Sequence, residues 1–83
     1  KSLTTAKEVW EKNPLIESSE LISIVKSVLQ SEPLVSEIQY VSVESMSTMK
    51  AISRPSDSEH GATISLGCVV GKVRLIDNIV LKN

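Results

Sequence analysis

Ala62-Thr63-Ile64-Ser65-Leu66-Gly67-Cys68-Val69-Val70-Gly71-Lys72-Val73-Arg74-Leu75-Ile76-Asp77-Asn78-Ile79-Val80-Leu81 decides how this chain is built, because it reads as two strands joined by a tight turn. Ala62, Ile64, Leu66, Cys68 and Val70 share one face of an extended chain, while Thr63, Ser65, Gly67 and Val69 share the other. Gly71-Lys72 suits a two-residue type II′ loop, which needs a positive φ at its first central position. That loop pairs Val70 with Val73. Continuing outward, it sets Cys68 opposite Leu75, Ile64 opposite Ile79 and Ala62 opposite Leu81. Asp77 falls opposite Leu66 and breaks the pattern. A carboxylate there must be hydrogen-bonded, lie beyond the covered region, or be turned outward by a bulge near Asp77-Asn78.

Before the hairpin, Leu3, Ala6, Val9 and Trp10 recur at helical spacing, with Lys1, Lys7, Glu8, Glu11 and Lys12 on the remaining surface. Asn13-Pro14 stops that helix, since proline disfavours the α conformation in the residue before it. A second helix follows, capped by Ser18 or Ser19, with Glu20 in its first turn and a stripe of Leu21, Ile22, Val25, Val28 and Leu29. Ser31-Glu32-Pro33 ends it. Ile38 to Val43 predicts a short strand, and apolar groups on both its faces predict cover on two sides or a place in the middle of a sheet. Ser45 to Lys50 suits one helical turn presenting Met46 and Met49, with both methionines in the core. The polar run from Ser53 to Gly61 predicts a mobile loop. Helix, helix, strand, loop and hairpin make an α+β two-layer domain: a small three-stranded, mainly antiparallel sheet whose C-terminal hairpin packs against two helices.

The 83 residues, 41% hydrophobic and 23% charged, describe one domain, residues 1–83. A chain this short buries only about 60–65% of its unfolded surface. With no Phe, one Trp and one Tyr, the core falls to Ile, Val and Leu, and Trp10 and Tyr40 are the large anchors. A formal charge of −1 without a Lys/Arg cluster argues against nucleic acid as a partner. No apolar run reaches the roughly 18 residues needed to cross a bilayer, which argues against a membrane and for a cytoplasmic domain. A single cysteine forms no internal disulfide and fits a reducing compartment. A helical pattern running from the first residue, with no initial Met, reads as a domain cut from a longer protein.

Residue chemistry supplies no catalytic, cofactor-binding or metal-binding constellation. Cys68, His60 and Asp57 are the residue types of a thiol triad, but catalysis needs an accessible thiolate and an oriented base. Cys68 falls on the apolar strand face and reads as a small core residue. His60 reads as a loop residue, since no partner stands at ligand spacing. Lys72 and Arg74 near the hairpin tip suit an anion or, more simply, a solvated turn. Gly67 and Gly71 lie in strand and hairpin positions, not between a strand and a helix where a phosphate loop would sit.

Gly71-Lys72-Val73-Arg74-Leu75-Ile76-Asp77-Asn78-Ile79 resembles the closing Gly-x-x-Arg-Leu-Ile-Asp-Asn motif of the pantothenate synthetases, or pantoate-beta-alanine ligases. Tyr40-Val41-Ser42-Val43-Glu44 is similar to that family's Tyr-Val-x-Val-x segment, with Glu44 where Asp is more usual. Ala62-Thr63-Ile64-Ser65-Leu66 stands where the family's strand leads into the motif. The resemblance implies the C-terminal domain of an enzyme that joins pantoate to beta-alanine with ATP, through a pantoyl adenylate, releasing AMP and pyrophosphate. ATP and magnesium are implied for that parent, a cytoplasmic homodimer, and not for this fragment. The implied partner is the N-terminal nucleotide-binding domain of the same chain, which carries the family's His-x-Gly-His and Met-Ser-Ser-Arg-like motifs. Neither motif occurs here, so no residue inherits a catalytic, cofactor or metal role, and Arg74 to Asn78 reads as structural. The implied part is a lid that keeps water from the acyl adenylate and is inactive alone. The competing class is a stand-alone protein-interaction module, binding through the hairpin edge or the polar loop without chemistry.

Overall fold

The computed structural model describes residues 2–82, so Lys1, assigned above to the surface of the first helix, lies outside the described residues. The chain folds as α1 (Ser2–Lys12), α2 (Ser18–Gln30), β1 (Val35–Ser45), a short 3-10 turn (Pro55–Asp57), β2 (Ala62–Val70) and β3 (Val73–Leu81). The three strands form one antiparallel sheet in the order β1-β2-β3, with α1 over β3 and α2 over β1. This is the α+β two-layer arrangement expected. Leu3, Ala6 and Trp10 of α1 and Leu21, Val25 and Leu29 of α2 meet Val43, Ala62, Ile64, Leu66, Cys68 and Leu81 in a single core.

The hairpin register is the expected one, residue for residue from Ala62 and Leu81 to Val70 and Val73. Gly71 adopts φ 61, as the loop requires. No irregularity interrupts β2 and β3, which eliminates a bulge at Asp77. Asp77 is exposed, beyond the helices, and its Oδ1 accepts the Asn78 N–H at 2.8 Å.

β1 departs from expectation: it is longer, and it lies at an edge while β2 holds the middle. Two register shifts explain the apolar groups that had placed it in the interior. Ser36 and Gln39 are extra residues, so Val35, Ile38, Val41 and Val43 all reach the helix-facing side despite their uneven spacing. Tyr40 alone is left on the outer face. There its ring covers Gly67, where a Cβ would collide with ring atoms Cε1 and Cδ1.

Three local expectations are corrected. Glu17, with φ −78 and ψ 148, holds the N-cap position of α2 without a side-chain cap bond, and neither Ser18 nor Ser19 stands there. Ser18 is already helical, and its N–H donates to the Ser53 carbonyl at 2.7 Å. The helical turn at residues 45–50 is reduced to one bond, Met49 N–H to the Ser45 carbonyl at 2.8 Å, before Met49 at φ 60 turns the chain back. Local bonds to the Ser45 hydroxyl, from the N–H groups of Ser47 at 3.1 Å and Thr48 at 3.4 Å, compete with helix continuation. Met46 and Met49 are therefore surface residues, 41% and 72% exposed, and not core.

Candidate functional site

The polar run after β1 is tied down at several points rather than hanging free as a mobile loop. Pro55 opens the 3-10 turn and is fully buried. Ser58 and Ser45, both buried, share a hydroxyl–hydroxyl hydrogen bond of 2.9 Å. Arg54 Nε donates to the Leu15 carbonyl at 3.1 Å, and Ser53 accepts from Ser18. These bonds hold the segment against the start of α2. Between them lies a groove of about 310 Å³ lined by Glu17, Ser18, Ser19, Ile22, Ala51, Ile52 and Ser53. It offers hydroxyls and one carboxylate. Among the described residues, the Ser18 hydroxyl and the Trp10 indole N–H are buried without a hydrogen-bond partner.

The residues named from sequence are not brought together. Cys68 is buried on the inner face of β2, as its alternation implies. His60 precedes that strand, leaving six residues of β2, about 20 Å of extended chain, between its start and Cys68. His60 and Asp57 are exposed, so the triad residue types share no site. Lys72 and Arg74 are also exposed, at the hairpin turn and on the outer face opposite Val69. Among the described residues no three His, Cys, Asp or Glu side chains gather around a point that would fit a metal ion. The Ser45–Ser58 pair was not legible in the sequence, because serines in a Ser-rich polar run read as solvated by default. Only the return of the chain to β1 makes them buried.

Comparison with known proteins gives the functional context. The pantoate-beta-alanine ligase family model matches residues 1–80. The chain belongs to the pantoate-beta-alanine ligase family. Two solved structures share the fold, both of pantothenate synthetase from Thermus thermophilus. One aligns with a TM-score of 0.78 and the other with 0.79, each at 20% identity, covering 99% of this chain and 28% of the solved one. The present chain thus spans under a third of the length of those ligases. A search of curated protein sequences gave no match. The family assignment agrees with the Gly71–Ile79 motif, which the structure places in the hairpin turn and β3.

Proposed function

We propose that this chain is the C-terminal lid domain of a pantoate-beta-alanine ligase. The parent condenses pantoate with beta-alanine at the expense of ATP, through a pantoyl adenylate, releasing AMP and pyrophosphate. The carrying observation is the family match over residues 1–80 by a fold that fills 28% of related chains. A domain of that share, built around a rigid hairpin, is suited to covering a cleft made elsewhere. Its contribution is positional: closing over the acyl adenylate, it keeps water from the mixed anhydride until the amine of beta-alanine attacks. The residues described here do not fit the magnesium ion that accompanies ATP, and no step is assigned to that ion on this chain. ATP, pantoate and beta-alanine are accordingly bound by the nucleotide-binding domain, in a cytoplasmic homodimer, and the isolated domain is inactive.

Removing residues 1–83 from the parent ligase tests this reading. The ratio of AMP released to pantothenate formed should rise, while ATP still binds. An unchanged ratio would remove the lid role, and loss of ATP binding would place nucleotide contacts on this domain.

A further inference from the structure

The chain carries three sulfur atoms, one of cysteine and two of methionine, and the fold gives each a different environment. Cys68 is buried at 3% exposure, so a dissolved oxidant reaches its thiol only when the fold opens. Met46 and Met49 are 41% and 72% exposed. The Thr63 hydroxyl donates to the Met46 sulfur at 2.7 Å, and the Met46 N–H donates to the Gly61 carbonyl at 3.0 Å. Met46 is thereby held against the start of β2.

Met49 is presented differently. It lies at φ 60, in the left-handed region, where the chain turns back along β1. Its backbone is fixed on both sides, because its N–H donates to the Ser45 carbonyl at 2.8 Å and the Lys50 carbonyl accepts the Ser45 N–H at 2.9 Å. Its side chain takes no part in the core, and no hydrogen bond engages its sulfur among the described residues. A held turn therefore displays a free thioether. A thioether has no proton to lose and reacts through its sulfur lone pairs, one of which Thr63 occupies at Met46.

We propose that Met49 is a site of reversible oxidation by peroxides, and that the Thr63 hydroxyl shields Met46 from the same reaction. With hydrogen peroxide, a sulfur lone pair attacks one peroxide oxygen, and the O–O bond breaks as the S–O bond forms. The departing oxygen takes the proton of the transferred one and leaves as water. Sulfur is oxidised and peroxide reduced by one electron pair, and the methionine sulfoxide that remains is a substrate for sulfoxide reductases. Because Met49 contributes nothing to the core, its new oxygen turns an apolar turn polar without unfolding the domain. The site goes beyond the lid reading and does not depend on it.

Limited treatment of the 83-residue chain with hydrogen peroxide, followed by fragment-ion mass spectrometry, reads the two methionines separately. Met49 should gain its oxygen several-fold faster than Met46 in folded protein. The two rates should converge in denaturant, where neither burial nor Thr63 distinguishes them. Thr63→Val puts another β-branched residue at a half-buried strand position, so circular dichroism should show the fold intact while Met46 oxidation quickens towards the Met49 rate. Protein oxidised at Met49 should keep its denaturant midpoint, and methionine sulfoxide reductase should restore the thioether in the folded chain. Equal rates in folded protein overturn the proposal, as does a difference that persists in denaturant or that Thr63→Val leaves unchanged. So does a clear fall in the midpoint on oxidation at Met49, which would make the reaction damage and not a tolerated mark.

Discussion

The two ends of the hairpin carry the same alternating pattern and meet opposite fates. At the base, Ala62, Ile64 and Leu81 are fully buried, whereas at the tip Leu75 and Val73 are 47% and 62% exposed. The difference lies in the helices. They cover β2 through Leu66 and Cys68, 4% and 3% exposed, but leave the partners of these residues on the edge strand, Asp77 and Leu75, in solvent, so they roof only part of the sheet. Periodicity therefore tells which face a residue takes, and the reach of the neighbouring layer tells whether that face is buried. Asp77 shows the same rule from the polar side, since it occupies an inner-face position that nothing covers.

The sharpest way to break this contrast is to empty one position at each end. Ile64→Ala should cost about 2–5 kcal/mol in denaturant unfolding, as a fully buried side chain lost from a core that relaxes only partly. Leu75→Ala in dilute protein should cost less than about 0.5 kcal/mol, as ordinary surface substitutions do. Comparable losses would mean that the tip is covered after all. Next in size, Gly67→Ala should cost about 1–3 kcal/mol, because the new methyl group meets the Tyr40 ring. Adding Tyr40→Ala should recover part of that loss. Additive losses in the four-protein cycle would show that the ring does not lie over Gly67.

Much of this architecture was legible in the sequence, and the parts that were not share a cause. The hairpin register and both helical stripes came from local periodicity anchored by a turn, and each holds in the structure. Ile38 to Val43 reads as an interior strand because the extra residue Gln39 breaks its period-two pattern and splits Ile38 from Val41 and Val43, which share its face. Hydrophobicity alone places Met46 and Met49 in the core, but bonds to the Ser45 hydroxyl redirect the chain and leave both on the surface. Ser18 lies inside the helix and not at its cap, and its N–H is met by the Ser53 carbonyl, a partner distant in sequence. As for a site, the alternation of Cys68 places its thiol on the inner face of the strand, where the structure has it buried. The motif from Gly71 to Ile79 carried the family, which no arrangement of chemically reactive groups would have supplied.

At the tip itself, Gly71→Val isolates backbone conformation from packing. A Cβ at this position meets nothing within 4 Å, so the whole cost is that of holding a branched residue at φ 61. About 1–2 kcal/mol is expected from denaturant midpoints. A loss below about 0.3 kcal/mol would mean that the loop readily adopts another turn without disturbing the register it sets.

The smallest expected effect concerns Cys68, which sits where the two ends meet: it is 3% exposed, yet its cross-strand neighbour Leu75 is half in solvent. If the base and tip are separate units of stability, the thiol becomes reachable when the last turns of the hairpin part, without loss of the helix-covered core. Folded protein should then react with a thiol reagent far more slowly than unfolded protein, and low denaturant should change the rate only weakly, since a small opening exposes little surface. Gly71→Val should quicken labelling more than Ile64→Ala does at low denaturant, although it costs less global stability, because it weakens the closure of the end that must open. Measured side by side, the two variants separate local from global opening. A labelling rate that tracks global stability across both variants, with the full denaturant dependence of unfolding, would make the hairpin a single cooperative unit and remove the distinction between its ends.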